Sequence, residues 1–340
     1  MPRLRRVDCA GPGIRRRRRG RGFSYTWDDG TPVDEQETLN RIRGLVLPPA
    51  WTDVWICPFA NGHIQATGTD VAGRRQYRYH DAWRAQRDAE KHDRVLDFAQ
   101  RLPAVREVVR ERLAGSGYSR ERVLAAAFAL LDLGFFRVGG EQYAEDNGSF
   151  GLATIRRDHV AVTRTAVVFD YPAKSGKQRE QSIVDDDVRA VVAGLKRRRD
   201  PSPELLAYKV GRQWRDVRSD DVNEHLRELF DAEVTAKDFR TWHATVLMAV
   251  ALAVSRGAAV TESRRKRAVA RAYREVADYL GNTPAVARAS YVDPRVVDLY
   301  DDGVTVARAL ERAARDGEAD GPILHGTVER AVLRMLRDAA

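Results

Sequence analysis

Five residues between positions 137 and 291 have the types that phosphoryl-transfer chemistry needs: Arg137, Lys174, Arg240, Asn282 and Tyr291. They occur in FFRVGGEQY, FDYPAKSGK, KDFRTWHAT and GNTPAVARASY. When a protein hydroxyl attacks a phosphodiester, the phosphorus centre becomes crowded and strongly anionic. The reaction then needs cations on its oxygens, a proton donor for the leaving oxygen and a nucleophile. This set supplies all three without a metal. Such chemistry would cut a phosphodiester and leave the broken end bonded to the protein.

Spacing adds what residue type cannot. Arg137 and Lys174 are 37 residues apart, Asn282 and Tyr291 nine apart, and KDFRT runs into a long apolar stretch. With a tyrosine inside SYVDP, these segments resemble type IB DNA topoisomerases, especially the small poxvirus-like enzymes of bacteria, from about Gly22 to about Tyr300. The resemblance implies that Tyr291 is the nucleophile. It would attack the scissile phosphate to give a 3′-phosphotyrosine and a free 5′-hydroxyl, with no cofactor and no metal.

On the same resemblance Arg137 and Arg240 clamp the phosphate, a task that suits the planar, permanently charged guanidinium fork. A surface ion pair is the ordinary alternative for any arginine, but both follow or open apolar helical segments. A phenol of pKa about 10 is a poor nucleophile at neutral pH unless cations stabilise its anion or a base takes its proton. Lys174 is the general acid for the 5′ oxygen; crowding by the arginines is expected to bring its pKa of about 10.4 toward a useful range. A turn lysine that only touches backbone phosphate would look the same. Lys177 is the nearest competitor, and the 37-residue interval selects Lys174. Asn282 stands where part of the family has histidine. Its amide can donate to a phosphate oxygen but cannot act as a base, and as the residue after Gly281 it also reads as an ordinary helix cap.

The chain has 340 residues, enough for two domains, and 43% of them are hydrophobic. Its 58 Lys and Arg against 49 Asp and Glu give a formal charge of +9, which favours a polyanionic partner. Two cysteines in unlike contexts, Cys9 and Cys57, suggest neither a disulfide framework nor a metal site. No apolar run approaches the roughly 18 residues of a membrane span. The expectation is a soluble, cytoplasmic, nucleoid-associated monomer acting on duplex DNA, preferably supercoiled, with no membrane contact.

The fold class expected is α+β: a small mainly-β N-terminal domain, then a larger, mostly helical catalytic domain of the tyrosine recombinase and type IB topoisomerase type with a small antiparallel sheet. Residues 1–21, with Arg15 to Arg19 in a row, read as a basic flexible arm because like charges repel; it is either solvated or in contact with DNA. Residues 22–90 form the mainly-β domain, expected to clamp DNA, and 91–340 the catalytic domain. In the mainly-β domain GFSYTWDDGTPV mixes aromatics with a turn signal, and WTDVWICPF, HIQATGTD and RRQYRYH read as short strands. In the last, alternation sends Gln76, Arg78 and His80 one way and Tyr77 and Tyr79 the other. The resemblance places Tyr77 and Tyr79 on DNA, with Arg75, Arg78 and Lys177 as further contacts; packing within the sheet is the alternative for the tyrosines.

In the catalytic domain Pro103 is expected to separate two helices, and Ser119 to cap an apolar helix ended by Gly134. GLATI, HVAVT, AVVFDY and QREQSIV read as strands, with Lys174 at a hairpin tip. Thr283 and Pro284 read as N-cap and first residue of a short helix carrying Tyr291 near its end. A tyrosine recombinase is the nearest rival, but the usual His-x-x-Arg pattern is replaced by Lys237-x-x-Arg240. A non-catalytic DNA-binding protein would explain the charge but not the five residues. For a metal-dependent nuclease, Asp185, Asp186 and Asp187 are adjacent and cannot all face one ion.

Overall fold

The N-terminal arginines fold because a strand separates them. The computed structural model describes residues 3–255, 261–316 and 325–339. Ile14–Arg19 form β1, paired antiparallel with β2 (Gly22–Trp27). This corrects the expectation of a flexible arm through residue 21; residues 1–2 of that arm lie outside the described residues. Alternation sends successive arginines to opposite faces. Arg15 pairs with Asp28 at 2.7 Å, and Arg16 donates to the carbonyls of Pro48 and Trp51 at 3.0 and 2.7 Å. Ile14 anchors the strand in the core, fully buried.

Helix α1 (Gln36–Gly44) precedes β3 (Thr52–Ile56), β4 (Ile64–Thr69) and β5 (Arg75–Tyr79). The five strands form one antiparallel sheet in the order β2-β1-β3-β4-β5, whose core holds Ile14, Val33, Ile42, Val54, Ile56 and Ala66. On β5 the expected alternation is present. Tyr77 and Tyr79 are 46% and 39% exposed, with ring centroids 6.1 Å apart, so they lie outside the sheet's packing.

The chain divides into two compact units, Met1–Asp93 and Arg94–Ala340. Helix α2 is continuous over Asp81–Ala114 with Pro103 inside it. Pro103 therefore does not separate two helices: it removes one backbone donor, while Phe98, Ala99, Leu102, Val105 and Val109 bury the same stretch in the core.

The second unit continues with α3 (Arg120–Gly134), capped by Ser119 accepting from the Arg122 amide at 3.3 Å, then α4 (Glu141–Asn147). GLATI, expected to be a strand, forms a 3₁₀ turn at Leu152–Thr154 whose first two amides bond the chain after α3 instead of a neighbouring strand. β6 (Val160–Val162), β7 (Val167–Pro172) and β8 (Gln178–Ile183) make a three-stranded antiparallel sheet. α5 (Asp186–Lys196) leads to a hairpin absent from the sequence reading, β9 (Ala207–Val210) and β10 (Gln213–Asp216). Helices follow: α6 (Ser219–Phe230), α7 (Ala236–Ser255), α8 (Glu262–Leu280), α9 (Pro284–Ser290), α10 (Arg295–Asp301), α11 (Ala307–Arg315) and α12 (Thr327–Arg337). The fold is α+β, an antiparallel sheet followed by a mostly helical unit. No helix among the described residues is long and apolar enough to cross a membrane.

Candidate active site

A helix leaves its last carbonyls without intrahelical partners and with a partial negative charge. At the end of α8 three arginines from distant segments collect there. Arg240 donates to Leu280 O at 2.8 Å, Arg137 to Gly281 O at 3.2 Å, and Arg179 to Asp278 O at 3.2 Å and to Tyr279 O. Among the described residues none of the three has a carboxylate partner. Three guanidiniums held by neutral carbonyls keep their full charge for an anion.

The turn that follows α8 is built for this. Gly281 adopts the left-handed conformation at φ +62°, which suits glycine because it has no Cβ. The Asn282 amide then bonds back to Ala277 O at 2.9 Å, a Schellman closure. Capping is thus done by the backbone of Asn282, and its side chain is left for other work. Asn282 Oδ1 accepts from Arg137 at 2.6 Å, while Nδ2 is buried with no partner among the described residues.

Arg137 is fixed by the segment before it. The left-handed residue closing α3 is Phe135, at φ +55°, and not the expected Gly134. A bulky residue there is strained. Its carbonyl accepts from Arg240, and its ring packs on His243 and Tyr279 at centroid distances of 5.3 and 5.8 Å. Downstream, Arg137 O accepts from the Leu152 amide at 2.8 Å. Gly151 and Gly139 meet there so closely that a Cβ on Gly151 would lie 2.5 Å from Gly139 Cα.

Arg240 sits in the second turn of α7, 3% exposed, with Nε buried and without a partner among the described residues. Burial and the charge of Arg137 bring its pKa down to about 10, which leaves it a cation at neutral pH. Its guanidinium carbon lies 5.2 Å from the centroid of the Tyr291 ring, and Lys237 Nζ lies 6.0 Å from the same ring.

Thr283 caps α9 by accepting from the Val286 amide at 3.3 Å, with Pro284 at the first helical position as expected. Tyr291 ends that helix. The chain just after it is tied to α7 by Thr245, whose hydroxyl accepts from the Asp293 amide at 3.1 Å and donates to Thr241 O at 2.9 Å, with Tyr291 O farther off at 3.4 Å. Burial pushes the Tyr291 phenol up, but Arg240, then Arg137 and Lys237, outweigh it and hold the phenol below the ordinary tyrosine value. Tyr171, the other tyrosine under the influence of these arginines, goes the opposite way: burial pushes it up to about 12 against Arg179, Arg137 and Arg240. The balance between burial and these cations therefore separates the two phenols.

The structure brings Arg137, Arg240, Asn282 and Tyr291 together. Lys174 stands apart. It lies exposed in the 3₁₀ turn Lys174–Gly176 between β7 and β8, the hairpin tip expected, and its ammonium has no hydrogen bond or ion pair among the described residues. Lys177 is exposed at the end of the same turn. In the N-terminal unit Arg75 shares the exposed side of β5 with Tyr77 and Tyr79, whereas Arg78 is tied to Asp81 at 2.8 Å and to Tyr79 O at 2.7 Å. Sequence reasoning missed Arg179 and the closeness of Lys237 to the ring. Arg179 follows Lys174 by five residues on an alternating strand, the one signal available; for Lys237 the signal was its helical spacing from Arg240.

Comparison with known proteins agrees with this arrangement. Residues 80–313 match the family described as "Eukaryotic DNA topoisomerase I, catalytic core", and residues 22–70 match "Bacterial DNA topoisomerase IB, N-terminal domain". The chain is 29% identical over 296 residues to DNA topoisomerase 1B of Acanthamoeba polyphaga mimivirus, covering 85% of this chain and 87% of that one. It is 22% identical over 278 residues to DNA topoisomerase 1B of Vaccinia virus (strain Copenhagen), covering 79% and 84% respectively. With DNA topoisomerase 1 of Schizosaccharomyces pombe it shares 26% identity over 237 residues, 63% of this chain and 26% of that protein. Carrying both the catalytic core and the bacterial N-terminal domain, the chain belongs to the type IB DNA topoisomerase family.

Proposed function

We propose that this protein relaxes positive and negative DNA supercoils by cutting one strand through Tyr291, letting it rotate and resealing it. The observation that carries the reading is the convergence of Arg137, Arg179 and Arg240 on one helix end beside a phenol held below its ordinary pKa. Tyr291 Oη attacks the scissile phosphorus, the bond to the 5′ oxygen breaks, and that oxygen takes a proton from Lys174. Arg137, Arg240 and Asn282 Nδ2 hold the non-bridging oxygens as negative charge builds, and donors already in place need no reorganisation at that moment. Asn282 has no basic nitrogen and its Oδ1 is committed to Arg137, so the phenolic proton goes to water or to a phosphate oxygen.

The phosphotyrosine retains the energy of the broken bond. Religation is the reverse attack by the 5′-hydroxyl, so ATP is not required, and the protein cations supply the charge stabilisation. Tyr77, Tyr79 and Arg75, with Arg78 and Lys177, contact the duplex in this reading; the exposed tyrosine pair on β5 and the net charge of +9 support it. The protein works as a monomer on cytoplasmic, nucleoid DNA. Relaxation of plasmids of either supercoil sign, in EDTA and without ATP, is the test. Absence of relaxation, or an adduct that does not map to Tyr291, would overturn the proposal.

A further inference from the structure

One buried ionic group lies outside the chemistry described above. Helix α12 lies beyond both family matches, which end at residues 70 and 313. It turns Val328, Val332 and Leu336 into the core and, on the same face, Glu329, a carboxylate only 4% exposed. An ionised group is not buried at this depth without partners. Glu329 has two: Arg106 of α2 grips it with both terminal nitrogens at 2.6 and 3.1 Å, and Trp242 Nε1 of α7 donates to it at 2.8 Å.

The network continues toward the phosphate-binding arginines. Arg106 also grips Asp132 of α3, at 2.7 and 2.9 Å. Nε2 of His243 and Nε2 of His325 lie 3.4 and 3.3 Å from the Asp132 oxygens. Asp132 is five residues before Arg137, and Trp242 and His243 are two and three after Arg240. The His243 ring packs on Phe135, whose carbonyl holds Arg240. The Arg106 guanidinium thus joins α12 to the end of α3 that leads to Arg137, and Trp242 joins α12 directly to the part of α7 that carries Arg240.

We propose that Glu329 is a positioning residue for DNA cleavage, and that α12 is the clasp that fixes the end of α3 against α7 so that Arg137 and Arg240 converge on the phosphate. It touches no substrate and acts only through Arg106, Trp242 and Asp132. The inference rests on the function proposed above. Hydrophobic packing of Val328, Val332 and Leu336 would hold the helix in place without a carboxylate, but it would not set the rotation of α7 about Trp242; the hydrogen bonds do.

The test is single-turnover cleavage of a suicide duplex by the full chain at saturating protein. Misfolded molecules lower the amplitude of such a reaction, whereas misplaced arginines lower its rate constant. Glu329→Ala is expected to lower the rate constant roughly 10- to 100-fold, the range for a small misplacement of catalytic groups, with duplex affinity unchanged. Glu329→Gln keeps an oxygen for Trp242 but turns an amide NH2 toward Arg106, and is expected to recover part of the rate lost in Glu329→Ala. A second signature is the pH profile: with Arg240 held less firmly against Tyr291, the rising limb of cleavage, where the phenol ionises, should move to higher pH in Glu329→Ala. Should Glu329→Ala fail to fold, Trp242→Phe removes the indole donor while keeping an aromatic ring, and is expected to slow cleavage several-fold. A wild-type rate constant in Glu329→Ala, or in Trp242→Phe where that variant serves, overturns the inference alone. A wild-type protein that forms no adduct overturns the proposed function and this inference together.

Discussion

Replacing Asn282 by alanine separates catalysis from stability unusually well, because the two roles of the residue use different atoms. Its backbone amide closes α8 onto Ala277 O at 2.9 Å, and alanine retains that bond, so the change in folding free energy should stay within about 1 kcal/mol. The side chain contributes two other bonds. Nδ2, buried and without a partner among the described residues, is the donor for a phosphate oxygen in the proposed mechanism, and loss of one such donor would cost about 2.7–4 kcal/mol in the transition state, or about 10²- to 10³-fold. Oδ1 accepts from Arg137 at 2.6 Å; losing it loosens a charged group, but Arg137 keeps Gly281 O at 3.2 Å, so this adds little. The expected result is a cleavage rate about 10²- to 10³-fold lower with a nearly unchanged melting temperature. Asn282→His restores a donor and should recover much of the rate. Single-turnover cleavage, measured beside thermal unfolding, decides it. A wild-type rate in Asn282→Ala, or a rate loss matched by a lost fold, would refute the division of labour between backbone and side chain.

Tyr291→Phe removes only a hydroxyl from a ring packed under Arg240, so duplex affinity should persist while the covalent adduct, read by gel, disappears. Lys174→Ala should slow cleavage of ordinary DNA yet leave near-normal cleavage when sulfur replaces the bridging 5′ oxygen, since a thiolate leaves without a proton; equal defects on both substrates would remove Lys174 as the acid. Arg240 is the largest influence lowering the Tyr291 phenol, so Arg240→Gln should raise that pKa. Fewer phenolates then exist at any given pH, and the rising limb of the cleavage profile should move to higher pH, which a pH-rate series with saturating protein would show.

The local parts of this site were legible in the residues. Gly281 as a left-handed helix end, Thr283 and Pro284 as cap and first turn, and Lys174 between two β-favouring runs each depend on a few neighbours, and short-range rules of backbone sterics and hydrogen bonding decide them. The alternation of β5 that exposes Tyr77 and Tyr79 is of the same kind. Where local rules misled, a distant partner had intervened. The arginine run forms β1 because β2, β3, Asp28 and the carbonyls near Trp51 receive it, and Pro103 lies inside one helix because its neighbours are buried.

By itself the sequence determined the residue types, their order and the spacings that mark the family, because those are properties of the chain. Only the tertiary structure decided which cations meet. Arg137 reaches Asn282 across 145 positions, Arg240 reaches Phe135 across 105 and Arg106 reaches Glu329 across 223. Bonds of that separation form where the core brings elements together, and no local periodicity encodes them. The unpaired carbonyls ending α8 then gather three like charges that would otherwise repel, because a helix end offers them partial negative charge without the neutralising carboxylate that would spoil an anion site.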